Sequence, residues 1–126
     1  MIQGIHHISM KCDDPVLFER ALSFYRDILR LPVIRRWAEG AFIDTGSGFI
    51  EIFCNGTGET RKGAIRHVAL ATDDLDACVR AIEAAGYGFF EGPRLLRIPS
   101  SPPLCARIAF CKGPLGEEIE LFQEEE

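Results

Sequence analysis

Apolar and polar residues alternate along 4–12, a period of two that predicts a strand. The period then lengthens. Leu17, Ala21, Phe24 and Ile28, joined by Leu22, Tyr25 and Leu29, form a wide stripe at helical spacing. Asp14 is placed to cap this helix, Pro15 suits its first position, and Pro32 stops it after about Arg30. Strands are predicted at 33–37, 41–44 and 48–54, with Gly46, Ser47 and Gly48 turning the chain between the last two. The order then recurs. A strand at 65–71 precedes a helix that Asp74 caps, that buries Leu75, Cys78, Val79, Ile82 and Ala85, and that Gly86 ends. Further strands are predicted near 88–91, 105–111 and 117–123, and the proline-rich stretch 92–104 reads as a loop.

Each half therefore has the order βαβββ, and the halves share residues as well as pattern. Residues 5–14 and 65–74 both carry Ile, His and an Asp pair in register, with His7 and His67 60 positions apart. Residues 50–53 (Ile-Glu-Ile-Phe) return at 119–122 (Ile-Glu-Leu-Phe), with Glu51 and Glu120 69 positions apart, so one half carries a net insertion of nine. This predicts an α+β chain of one domain over 1–126: a first βαβββ module at 1–58, a polar linker at 59–63 and a second module at 64–126.

Composition narrows the function classes. In 126 residues, 14 Lys and Arg face 19 Asp and Glu, a net charge of −5. A protein that tracks phosphates carries the opposite excess, so nucleic acid is not an expected partner. No apolar run approaches the roughly 18 residues of a membrane span, and the first residues show no leader pattern, so no membrane partner is expected. Five cysteines, with no C-x-x-C pair among them, argue against a disulfide framework and for a reducing, cytoplasmic setting.

The candidate chemistry comes from the strand faces. Alternation places His6, Ile8, Met10 and Cys12 on one face of the first strand and His7, Ser9 and Lys11 on the other. By the same parity Ile50, Ile52 and Cys54 face the core while Phe49, Glu51, Phe53 and Asn55 face away, and Glu120 and Phe122 face opposite Ile119 and Leu121. A single glutamate on a strand is ordinarily a solvated charge, and a single histidine an ordinary hydrogen-bonding residue. Their duplication changes the weighing. A carboxylate beside Phe49 and Phe53 is costly to bury unpaired, and two imidazoles with two carboxylates balance and suit a divalent ion such as Ni, Co, Zn, Fe or Mn. His7, Glu51, His67 and Glu120 are accordingly the expected metal ligands, with His6 assigned to the core or an interface.

Taken with 23–29 (Ser-Phe-Tyr-Arg-Asp-Ile-Leu) and 113–122, these segments resemble the vicinal oxygen chelate superfamily, which includes glyoxalase I, over essentially the whole chain. The resemblance implies two tandem βαβββ modules forming a cupped mixed sheet around one metal ion, commonly in a homodimer. The ligand order His, Glu, His, Glu is similar to that of short bacterial glyoxalase I enzymes, which favours nickel or cobalt, whereas the human-like enzymes use zinc with a different first ligand. It implies a small-molecule substrate, the hemithioacetal of methylglyoxal and glutathione or another thiol. Glu120 would be the main catalytic base and Glu51 the second catalytic carboxylate. Lys11 and Asn55 would hold the distal part of the substrate, and Phe49, Phe53 and Phe122 would wall the site. Lys11 stands where the family has Arg, keeping the charge but not the bidentate fork, so the thiol is left open. Alternatives within the superfamily are a thioester epimerase, a fosfomycin thiol transferase with Arg94, Arg97, Arg107 and Lys112 as its anion cluster, and a resistance protein that binds drugs without chemistry.

Overall fold

The structure is a computed structural model that describes residues 1, 3–57, 63 and 65–125. The expected linker, 59–63, lies outside the described residues except for Gly63. The chain divides into two compact units, Met1–Arg61 and Lys62–Glu126.

In the first unit, β1 (His7–Lys11), α1 (Pro15–Ser23), β2 (Val33–Trp37), β3 (Gly40–Asp44) and β4 (Phe49–Phe53) build a four-stranded mixed sheet in the order β1-β4-β3-β2. β1 and β4 run parallel, the other neighbours antiparallel. Asp14 caps α1 by accepting from the Val16 amide, with Pro15 at the first position, where a missing N–H is harmless. The expected single helix to Arg30 instead ends as α-helix at Ser23 and continues as one wider π turn over Phe24–Ile28. There the Leu29 amide reaches back to the Phe24 carbonyl, five residues away. This widening leaves Phe24 and Tyr25 both buried, and the Tyr25 hydroxyl lies 4.0 Å from Met10 Sδ on β1. The helix side of the unit buries Phe18, Ala21 and Leu22 together with Ile43, Ile50 and Ile52. Arg36 of β2 ties to the same helix, pairing with Glu19 and lying over the Phe18 ring.

The second unit repeats the plan. β5 (Val68–Ala71), α2 (Leu75–Ala84), β6 (Phe89–Ile98), β7 (Leu104–Lys112) and β8 (Glu118–Glu125) give a mixed sheet in the order β5-β8-β7-β6, with β5 parallel to β8. Asp74 caps α2 by accepting from the Ala77 amide, and Gln123 of β8 accepts from the Leu75 amide at 2.7 Å. Leu75, Val79 and Ile82 are buried, as are Ala109, Cys111, Ile119 and Leu121. The duplicated α+β architecture expected from the sequence is thus the observed one.

The largest difference from the strand lengths read in the sequence is at β6. The expected loop at 92–104 is strand as far as Ile98. Pro93 is accommodated because β6 is an edge strand and its register shifts between Glu91 and Arg94, so the proline falls where no ladder N–H is required. Gly92 takes φ +77 at this shift, and an added Cβ there would stand 2.6 Å from the Ile108 carbonyl oxygen. Among the described residues no helix is long and apolar enough to cross a membrane.

Candidate functional site

Register decides which side chains meet. On β4, Ile50 and Ile52 are buried on the helix side while Phe49, Glu51 and Phe53 take the opposite face. His7 pairs with Phe49 across the parallel β1–β4 ladder, so Glu51 stands one step along on the same face. The His7 Nε2 lies 3.6 Å from Glu51 Oε1. The second unit makes the same arrangement: His67, which immediately precedes β5, places Nε2 3.2 Å from Glu120 Oε1. In both pairs the imidazole is partly open to solvent, at 38 % side-chain exposure, while the carboxylates are shielded, at 13 % and 10 %. Each carboxylate thus faces the imidazole of its own unit.

These separations fit a metal donor pair. Two ligands with bonds of about 2.1 Å at right angles to each other lie about 3.0 Å apart, and at the tetrahedral angle about 3.4 Å. A neutral imidazole 3.6 Å from a carboxylate is too far for a hydrogen bond, and the 3.2 Å pair is at the long end. A shielded carboxylate held at that spacing from a nitrogen is a place where a cation lowers the energy of both groups. The donors come in twos: among the described residues no group of three or more His, Cys, Asp or Glu side chains is gathered.

Aromatic rings surround each pair. Phe49 is stacked on Phe42 at 5.6 Å, and Phe42 lies 5.6 Å from His7. Trp37 stands edge-on to Phe42 and Phe53, crossing over Gly40, where any Cβ would meet the indole at 2.8 Å. In the second unit Phe110 stands edge-on to His67 at 5.2 Å, with Phe90 beside it at 5.8 Å. Phe42 and Phe110 occupy matching places, each directly across an antiparallel ladder from the glutamate of its unit. Neither follows from the pattern of its own strand, because what opposes each glutamate is set by the register between strands. Cross-strand pairing was the signal that could have found them.

The remaining expected site residues are distributed as follows. Lys11 lies over the Phe53 ring with its Nζ 5.6 Å from the centroid. Asn55 donates to Glu39 at 2.6 Å. Phe122 is half-buried on β8, on the Glu120 face by alternation. The four cations considered as an anion cluster do not form one face. Arg94 and Arg107 pair with successive residues of the facing strand's register, Ile108 and Leu95, and so project to opposite sides of the sheet. Arg94 is bound to Glu91 and Arg107 to Asp76 of α2.

His6, expected in the core or at an interface, precedes β1, where the strand's alternation does not yet apply, and is exposed in the single chain. Its ring packs against Phe49 at 5.2 Å, and its Nδ1 lies 2.9 Å from Nδ1 of His7. Titration is perturbed elsewhere, on the helix side: burial, reinforced by the Glu117 charge, pushes the Cys111 thiol up to about 11, and burial also raises the Cys12 thiol. All five cysteines are free.

A sheet pair of this order, repeated with its His and Glu, defines a duplicated βαβββ protein. The chain belongs to the glyoxalase/bleomycin resistance protein/dioxygenase superfamily, whose family model matches residues 4–121. Among solved structures it is similar to the trypanothione-dependent glyoxalase I of Leishmania major, at 19 % identity and a TM-score of 0.72 over 97 % of this chain and 87 % of that one. It is also similar to the lactoylglutathione lyase of Agrobacterium tumefaciens, at 16 % identity and a TM-score of 0.66 over 98 % and 95 %. A third is the glyoxalase/bleomycin resistance protein/dioxygenase of Alicyclobacillus acidocaldarius, at 16 % and 0.70 over 98 % and 92 %. At these identities the likeness is one of fold. No curated protein sequence matches the chain.

Proposed function

We propose that the protein is a metal-dependent enzyme of the glyoxalase I type, which isomerises the hemithioacetal of methylglyoxal and a thiol. One observation carries this reading: a His–Glu donor pair at 3.6 Å recurs at 3.2 Å in the second unit, at matching places of the duplicated sheet. His7, Glu51, His67 and Glu120 would together hold one divalent ion, nickel or cobalt by the resemblance of this ligand set to that of short bacterial glyoxalase I enzymes, with their two negative charges matching its 2+. When bound, such an ion supplies Lewis-acid stabilisation to the negative charge that develops on two adjacent substrate oxygens.

The chain's own residues do the rest. Glu120 takes the proton from the carbon that bears sulfur and returns it to the neighbouring carbon, so the substrate is isomerised with no net gain or loss of atoms. Glu51 is the second carboxylate. Phe49, Phe53 and Phe122 exclude water from the reacting carbons, and Lys11 and Asn55 hold the distal part of the thiol adduct. Lys11 offers that part a single point charge, which suits a carboxylate or phosphate without demanding bidentate geometry.

The test is a turnover assay on hemithioacetals of methylglyoxal made with several thiols, after loading the protein with Ni²⁺, Co²⁺, Zn²⁺ or Mn²⁺. Metal-dependent isomerisation of at least one adduct is expected. Stoichiometric metal binding with no turnover of any adduct would sink the glyoxalase reading.

A further inference from the structure

The 2.9 Å contact between Nδ1 of His6 and Nδ1 of His7 has a chemical constraint built into it. Two neutral imidazoles can share a hydrogen bond only if one nitrogen carries the proton and the other offers a lone pair. If His6 donates, the proton of His7 sits on Nε2, directed towards Glu51 Oε1 at 3.6 Å, and Nε2 has no lone pair for a cation. If His7 donates, its Nε2 lone pair faces Glu51 and the ring is ready to ligate. Changing from the first arrangement to the second moves protons between ring nitrogens and displaces no heavy atom.

We propose that His6 is a positioning residue, which accepts the Nδ1–H of His7 and holds that ring in its metal-ligating tautomer. The inference rests on the metal reading above, and the role is that of the acceptor which a ligating imidazole ordinarily finds in a carboxylate or carbonyl. The neighbouring structure fixes His6 for this. Its carbonyl accepts from the Phe49 amide at 2.9 Å, and its ring lies 5.2 Å from Phe49 and 6.2 Å from Phe42. His67 is preceded by Arg66, and among the described residues its ring meets Glu120 and Phe110 with no acceptor at Nδ1. The device belongs to one half of the duplication.

The test uses the full chain and Zn²⁺ as a diamagnetic probe. Calorimetry gives its affinity, and ¹⁵N spectra of the histidine rings give the tautomer. In the wild type His7 is expected to carry its proton on Nδ1 and to bind Zn²⁺ through Nε2. His6→Phe keeps the ring packing and removes the acceptor, and it should weaken Zn²⁺ binding by about 10–100-fold. His6→Asn, whose side-chain oxygen can stand where Nδ1 stood, should restore most of that affinity. Unchanged melting of the metal-free variants separates this effect from a general loss of structure. Equal Zn²⁺ affinity in wild type and His6→Phe, no rescue by His6→Asn, or a His7 proton on Nε2 in the Zn²⁺ form overturns the role of His6 alone. A wild type that binds no Zn²⁺ overturns the metal reading, and the role of His6 with it.

Discussion

The two halves share a frame and differ in how they furnish it. Both place a histidine at the start of the first strand and a glutamate on the last, and both pair those strands in parallel. In the first half the imidazole is hydrogen-bonded to a second imidazole and lies beside stacked Phe42 and Phe49 rings, with Trp37 against Phe42. In the second the imidazole meets one ring edge and stands 0.4 Å closer to its carboxylate, at 3.2 Å against 3.6 Å. Duplication thus conserved the backbone register that makes a donor pair and left the surrounding side chains to diverge. Two copies of one donor pair are chemically equal until their neighbours make them unequal.

The sharpest way to break that comparison is to change the two carboxylates separately. Glu120→Gln should lower turnover of the metal-loaded enzyme by about 10²–10⁴-fold, the range of a lost general base, and Glu51→Gln by less. Equal losses, measured as kcat at saturating metal, would show the halves to be interchangeable in the chemistry. The cores come next. Ile50 and Ile119 are buried at matching places on β4 and β8, and truncation of either to Ala should cost about 2–5 kcal/mol in denaturant unfolding. If the two units melt as separate cooperative bodies, each variant shifts one transition and leaves the other where it was.

A third experiment uses a difference within those cores. Cys111 faces Ile119 across its ladder, as Ile43 faces Ile50 in the first half. Its thiol is raised from the ordinary value of 9.0 to about 11, chiefly by burial. The folded state therefore holds this proton more tightly than the unfolded chain. The stabilisation is complete below pH 9 and is lost as the pH climbs through 11, a fall on the order of 2 kcal/mol. Cys111→Val should flatten that part of the stability profile for the second unit. The smallest effects are at the caps: Asp14→Ala and Asp74→Ala should each cost about 1 kcal/mol, read as a lower melting temperature, because each strips an acceptor from a helix amide.

The donor pairs were legible in the sequence because alternation along a strand is strict and a one-residue slip would have sent Ile50 and Ile52 to solvent. His7 and Glu51 thus fell on one face by counting, and the repeat supplied His67 and Glu120. Counting failed where the strand had not begun. The parity of β1 does not reach His6, because β1 starts one residue later, and counting does not show its contact with His7. It failed again at β6, where prolines outweighed Leu95, Leu96 and Ile98 because an edge position cannot be recognised from one strand alone. The π turn at Phe24–Ile28 left no mark on the apolar stripe, since one wider turn rotates the following residues by less than the width of the stripe.

The parallel pairing of first and last strands has a consequence for how each half comes into being. His7 and Glu51 are 44 positions apart, and His67 and Glu120 are 53. Neither pair can form until its half has been synthesised to the end and its ladder closed, which places these contacts among the slow, long-range events of folding. A donor pair is therefore a clasp that shuts last. On the proposed four-ligand site, capture of a divalent ion during refolding would mark the completion of both halves, and a chain stopped before β8 would carry its second histidine with no glutamate opposite it.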